Sequence, residues 1–268
     1  MLSERLGQQF VIENRTGAAT NIATEAVVRA PPDGYTLLLV VPANAISATL
    51  YDNLNFNFIR DIAPVAAISR EPNVVLVNPS VPTRTVPEFI AYPKANPGRV
   101  NMASAGNGTT SHLAGELFKM MTGVNMVHVP YRSTTQLTDL LAGQVQVSFP
   151  PMVVAIAQVK AGKLRALAVT TATRSEALLD IPTVGEFVPG YEASVWFGLG
   201  APKGTPAEII DKLNQETNAA LVDPKIKGRL AEPGGKALAG SPADFGKLIA
   251  DDTEKWGKVI QALNIKAD

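Results

Sequence analysis

An α/β fold built on mainly parallel sheets is what this 268-residue sequence predicts. Three observations lead there. Strand-like and helix-like stretches alternate along the whole chain, the pattern of a layered α/β protein. The apolar run at 35–41 is continuous and bounded by turn residues, as expected of a strand covered on both faces in a parallel sheet. Helices open on recurring polar signals: Thr85 three residues before Glu88, Thr205-Pro206-Ala207-Glu208, and Ser241-Pro242-Ala243-Asp244.

Taken in order, residues 1–6 read as the last turns of a helix stopped by Gly7, and 10–13 as a strand. After the loop 14–20, Asn21 caps a helix through Ala30, which Pro31-Pro32-Asp33-Gly34 ends before the run at 35–41. Residues 65–68 and 74–77 are strands, and a helix follows from Thr85 to Ala95, stopped by Asn96-Pro97-Gly98. A strand at 100–103 feeds a loop of small residues and then a helix capped by Thr110 or Ser111. Its apolar positions Ala114, Leu117, Phe118 and Met121 keep helical spacing. Strands at 126–129, 145–149 and 164–169 alternate with helices at 134–142 and 152–161, the latter stopped by Gly162. The stretch 190–201 holds the apolar run Trp196-Phe197-Gly198-Leu199. Two long helices close the chain, the last carrying Phe245, Ile249, Trp256, Ile260 and Leu263 on one stripe.

Composition narrows the function classes. Lys plus Arg equals Asp plus Glu, 24 against 24, without the basic excess that a nucleic-acid partner usually leaves. There is no cysteine, which removes disulfides, thiolate metal sites and cysteine nucleophiles. His112 and His128 are the only histidines, and no His-Glu-x-x-His occurs, so neither metal nor cofactor is expected. The apolar runs are too short to span a bilayer, and residues 1–7 lack the hydrophobic region of a signal peptide.

The loop Ser104, Ala105, Gly106, Asn107, Gly108, Thr109, Thr110 and Ser111 is the candidate site. A strand that turns through glycines into a helix leaves backbone N–H groups unpaired at the positive end of the helix dipole, and that is an anion site. Hydroxyls add donors without bulk. No lysine or arginine lies in the loop, which favours a carboxylate over a polyphosphate, and the spacing is neither Gly-x-Gly-x-x-Gly nor a Walker loop. The other reading is an ordinary capped βα turn.

His112, in the first turn of the following helix, serves either as an acid or base or as a neutral group orienting a ligand; the former would make the protein an α/β enzyme acting on a small carboxylate. His128 alternates within an apolar strand and reads as a satisfied buried histidine. Tyr131-Arg132-Ser133 stands at a strand's carboxyl end, where open α/β sheets place ligands, with Arg132 either pairing an anion or solvated. Asn44, after Ala43 at another strand end, faces a cleft or holds a turn. Pro150-Pro151 removes backbone donors at a third.

The motifs Glu13-Asn14-Arg15-x-Gly17, Asn21-Ile22, Pro32-Asp33-Gly34-Tyr35-Thr36-Leu37-Leu38-Leu39, Ser104-Ala105-Gly106-Asn107-Gly108-Thr109, His112-Leu113-Ala114-Gly115-Glu116-Leu117, His128-Val129-Pro130-Tyr131 and Leu164-Arg165-Ala166-Leu167-Ala168 occur in this order. They continue through Pro182-Thr183-Val184, Pro189-Gly190-Tyr191, Trp196-Phe197-Gly198-Leu199 and Gly204-Thr205-Pro206. With them the chain resembles the Bug-type extracytoplasmic solute receptors of tripartite tricarboxylate transporters. The resemblance implies a type II periplasmic binding protein, two α/β lobes joined by two crossing strands and closing on a small organic carboxylate. One lobe would be 1–75 plus 196–268 and the other 76–195. The loop from Ser104 to Ser111 would hold the carboxylate, with Ala43 and Asn44 facing it. It further implies a periplasmic receptor, without enzyme activity, that delivers its ligand to membrane subunits, while the even charge and the lack of an obvious exposed apolar stripe make a monomer without a nucleic-acid partner the expectation. Set against the family pattern, the sequence is expected to begin inside the first helix, after an export signal, a first strand and a Pro-Gly-Gly loop. Pro150-Pro151 stands where relatives commonly carry Asp-Asn, which disfavours an amine-bearing ligand.

Overall fold

A computed structural model of the chain describes residues 2–51, 53–132 and 135–267. In chain order its elements are α1 (Leu2–Leu6), α2 (Asn21–Val28), β1 (Leu38–Val40), α3 (Pro42–Leu50), α4 (Phe58–Asp61), β2 (Ile62–Pro72), β3 (Val74–Val77), α5 (Val86–Ala95), β4 (Asn101–Ser104) and α6 (Thr110–Thr122). There follow β5 (Val127–Pro130), α7 (Gln136–Leu141), β6 (Val147–Ser148), α8 (Met152–Lys160), β7 (Arg165–Val169), β8 (Ser194–Pro202), α9 (Ala207–Leu221), α10 (Pro224–Ala231), β9 (Lys236–Ala237) and α11 (Pro242–Leu263).

The strands form two sheets, ordered β1-β8-β2-β9 and β5-β4-β6-β3-β7. In the second, β4 runs parallel to β5 and β6, whereas β3 is antiparallel to both β6 and β7. The first sheet is antiparallel throughout, which corrects the expectation of mainly parallel sheets. Its reason is the pair of long strands: β2 leads out of the first sheet straight into β3 of the second, and β8 brings the chain back. They lie side by side in opposite directions, from Ile62 opposite Pro202 to Pro72 opposite Ser194.

The run at 35–41 yields strand only at Leu38–Val40, with Tyr35 78% and Leu39 57% exposed. As an edge strand paired with β8 alone, β1 is not the doubly covered strand that continuous apolarity suggests. Residues 10–13 are not a strand either, and Val11 and Ile12 lie exposed, since no described strand pairs with them. Thr109, not Thr110 or Ser111, caps α6, its hydroxyl accepting from the His112 N–H, and Thr20 stands at the cap position expected of Asn21. Met1 of the first helical reading, Thr134 of the helix predicted at 134–142, and Ser133 lie outside the described residues.

The predicted helix start at Ser241 closes as drawn, and that at Thr85 closes by half, the Glu88 carboxylate accepting from the Arg84 N–H at 2.7 Å. Ser241 and Asp244 exchange bonds at the head of α11, and the Glu88 N–H donates to the Thr85 hydroxyl at 3.3 Å. The apolar stripe of α11 spans two cores. Phe245 and Ile249 pack with Trp196, Val40 and Ile62 of the first sheet, whereas Trp256, Val259 and Ile260 join Leu113, Phe118 and Met102 around the second. Ile46 and Leu50 of α3 belong to that second cluster as well, so apolar packing is continuous between the sheets.

The crossing strand β2 carries a buried acid. Glu71 is 5% exposed, its Oε1 lacks a hydrogen-bond partner, and burial pushes its carboxyl up from 4.5 to about 7. A raised acid binds its proton more tightly in the native state, so this contribution is full below pH 4.5 and is lost as pH rises to about 7. Relative to Glu71→Gln, the wild type should therefore lose roughly 2 to 3 kcal/mol of stability between about pH 5 and pH 8. Denaturant unfolding of both proteins at the two pH values measures it; an unchanged difference would contradict the assignment.

Candidate functional site

Ser104 ends β4 as a fully buried residue, and the loop that follows folds back on its own side chains. The Ala105 N–H donates to Ser111 Oγ at 3.1 Å, the Gly106 N–H to Ser104 Oγ at 3.2 Å, and the Gly108 N–H to His112 Nδ1 at 3.3 Å. The Thr109 N–H and hydroxyl both donate to Gly106 O, and that hydroxyl lies 3.0 Å from Ser111 Oγ. The expectation of several unpaired N–H groups is thus corrected: the acceptors are supplied by Ser104, Ser111 and His112. A bound anion would take over these donors, displacing neutral acceptors with a charged one. Ala105, Gly106, Asn107, Thr109 and Thr110 are half-buried, the others buried.

Both glycines are there for close approach. Gly106 has φ 128°, and a Cβ on it would meet Tyr131 O at 3.0 Å. Gly108 has φ 74°, and a Cβ there would sit 2.5 Å from Leu50 Cδ2 and 3.9 Å from Ala19 Cβ. The loop therefore abuts α3 and the turn Ala18–Thr20 without room for a side chain.

The two histidines stack, ring centroids 3.9 Å apart and planes 11° from parallel. His128 Nε2 lies 2.6 Å from Ser104 Oγ, so His128 is satisfied, as expected, though half-buried and facing the loop. Burial first, then His128 and Lys119, push His112 down from 6.5 to about 3. With Nδ1 accepting from Gly108, His112 is a neutral brace. A group this acidic is a poor general base at neutral pH, and the enzyme reading has no support.

Asn44 is 1% exposed and fully engaged: Oδ1 accepts from the Val41 N–H, and Nδ2 donates to the Thr20 and Thr24 hydroxyls at 3.0 and 2.8 Å. It holds a turn, the second of its two sequence readings, tying α2 to α3. Ala43 is half-buried in the first turn of α3. Ser47 continues the tie by donating to Ala19 O. Tyr131 donates its N–H to Ser104 O and its hydroxyl to Asp139, and its phenol is raised to about 12 by burial and by that carboxylate. Arg132 is solvated. Pro150-Pro151 is used structurally: Pro150 O accepts from the Val74 N–H, while Asn73 donates to Phe149 O and pairs with Thr170, joining the ends of β6, β3 and β7.

Sequence reasoning missed the turn before α2. Ala18, Ala19 and Thr20 have φ of 45°, 47° and 79°, a left-handed conformation that costs non-glycine residues roughly 1 kcal/mol or more each. Nothing in two alanines and a threonine announces it; the signal was Gly17 and Asn21 flanking them. Among the described residues, no group of three or more acidic or histidine side chains could hold a metal, and no helix is long and apolar enough to cross a membrane.

The sequence pattern of the tripartite tricarboxylate transporter family receptor, TctC, matches residues 1–265. The chain belongs to that family. Protein BugT of Bordetella pertussis is 34% identical over 269 residues, covering 99% of this chain and 82% of BugT. Among solved structures, Rpa4515 of R. palustris with adipate superposes with a TM-score of 0.92 at 38% identity, covering 99% of this chain and 90% of that one. MatC (Rpa3494) from Rhodopseudomonas palustris with bound malate gives 0.86 at 30% identity, covering 97% and 90%. As a TctC-family receptor, the protein is a solute-binding component with the type II periplasmic binding fold and not an enzyme.

Proposed function

We propose that this receptor captures a small organic carboxylate between the loop Ser104 to Ser111 and the face made by α3 and the turn Ala18–Thr20, and hands it to membrane subunits of its transporter. The observation that carries this reading is the loop itself, a small-residue strand-to-helix turn rich in donors, pressed against the opposite element at Gly108. Adipate on Rpa4515 and malate on MatC support the substrate class.

The lobes of this reading are 1–75 with 196–268, and 76–195, with α11 reaching across both; β2 and β8 act as the hinge. Closing on an anion that touches both lobes stabilises the closed form by the ligand's differential affinity for it. The receptor works in the periplasm as a monomer. Ala105, Gly106, Thr109 and Thr110 stand nearest the ligand, and Asn44 shapes the opposing wall.

Titration calorimetry with adipate, malate and benzoate, followed by NMR of the recovered solution, tests the reading. Saturable heat with at least one acid, recovered unchanged, is the expected result. Conversion of the acid, or no binding by a folded protein, would overturn it.

A further inference from the structure

Buried polar atoms without partners gather on β2 where it leaves the first sheet for the second. Arg70 Nε, Glu71 Oε1 and Asn73 Oδ1 follow closely on one another, and none has a hydrogen-bond partner. Glu71 is the acid among them, 5% exposed, opposite Val195 of β8 and next to Pro72, the last residue of β2. The charged groups on the elements packed round this end of β2 are engaged with one another. Lys255 of α11 holds Glu192, just before β8, at 2.6 Å, and the Arg70 charge also acts on Glu192. Asp252 of α11 accepts from Trp196 of β8, and Lys236 of β9 reaches Glu176 at 3.7 Å. The helix α9 meets β2 at the other end, where Asn214 donates to Val65 O. Burial alone therefore acts on Glu71. A carboxyl with no cation beside it stays buried as the neutral acid.

Two strands that join lobes take up the change in backbone angles when the lobes part. Glu71 sits on that segment, so parting lets water reach the unpaired oxygen and the carboxyl ionise. We propose that Glu71 makes closure of this receptor take up a proton from solvent, its carboxyl ionised when the lobes part and protonated when they close, so that acid conditions favour the ligand-holding form. This rests on the hinge-closing receptor reading above and adds regulation by pH. The sign follows from tighter proton binding in the closed form. With the carboxyl at 4.5 when hydrated and about 7 when buried, closure takes up a proton between these values, and affinity falls as pH rises through about 7.

Calorimetry of adipate and malate at pH 6 and pH 8, in buffers of different ionisation enthalpy, counts the protons. Wild type should bind roughly 5- to 10-fold more tightly at pH 6 and take up close to one proton more than Glu71→Gln. The affinity of Glu71→Gln should follow only the acid's own ionisation, which is common to both proteins and cancels in the comparison. Small-angle X-ray scattering gives a readout without ligand. The radius of gyration of wild type should fall from pH 8 to pH 6, and that of Glu71→Gln should hold the smaller value at both. Equal proton counts in the two proteins, or a wild-type radius indifferent to pH, overturns the inference while the receptor reading stands. If circular dichroism shows Glu71→Gln misfolded, the wild-type radius alone decides. Binding of neither acid by folded wild type counts against the receptor reading, and the radius still decides the inference.

Discussion

Gly108→Ala should cost the receptor most of its affinity while leaving it folded. The added methyl would lie 2.5 Å from Leu50 Cδ2, and φ 74° is disfavoured for any residue with a Cβ. The backbone term is about 1 kcal/mol and acts on every folded form that keeps this φ, with or without ligand. The clash acts where the loop meets α3, the contact that the proposed binding mode places beside the ligand. Kd for an acid that wild type binds is therefore expected to rise roughly 10- to 100-fold by calorimetry. Adding Leu50→Ala removes the obstructing side chain, so the double variant should regain affinity relative to Gly108→Ala alone. Failure of the second substitution to rescue would mean that the backbone conformation, and not contact with α3, sets the loss.

Trp196→Ala should be the most destabilising single substitution. Trp196 is fully buried on β8, stands edge-on to Phe245 of α11 at 5.6 Å, and donates its indole N–H to Asp252 at 2.6 Å. Truncation removes a large buried ring, about 3 to 5 kcal/mol, and strips Asp252 of the donor that offsets its burial. Burial already raises the Asp252 carboxyl. For a chain of this size the loss corresponds to a Tm lower by roughly 10 °C or more. Trp196→Phe, which keeps most of the ring and loses the N–H, should fall between. Equal losses for the two would show that packing contributes little beside the Asp252 bond.

The sequence reads clearly wherever one residue type has one physical use. Ser241 and Asp244 form the reciprocal cap that their spacing requires, and Ala114, Leu117 and Phe118 face the core as their period demands. It reads poorly where the partner decides. Continuous apolarity at 35–41 says nothing about strand direction, and only β8 beside Leu38–Val40 makes that strand an exposed edge. The site follows the same division. Small residues and hydroxyls placed the loop after β4, but that Ser111 and His112 would accept its N–H groups depends on side chains folding back from the helix. Asn44 looked equally suited to a cleft or a turn, and two hydroxyls from α2 and its leading turn decide for the turn. The left-handed Ala18 and Ala19 run against residue preference; Ser47 donates to Ala19 O, Asn44 donates to the neighbouring Thr20, and the Thr20 N–H closes the turn on Gly17 O.

The central claim is that the loop Ser104 to Ser111 and the face opposite it bind a carboxylate in the native fold. Thermal unfolding of the chain with and without adipate, malate and a panel of aromatic acids tests it most directly. An acid present at about 100 times its dissociation constant should add about 2.7 kcal/mol of stability, a shift of several degrees that Gly108→Ala reduces at the same acid concentration. A cooperative unfolding transition that no acid displaces would contradict the account.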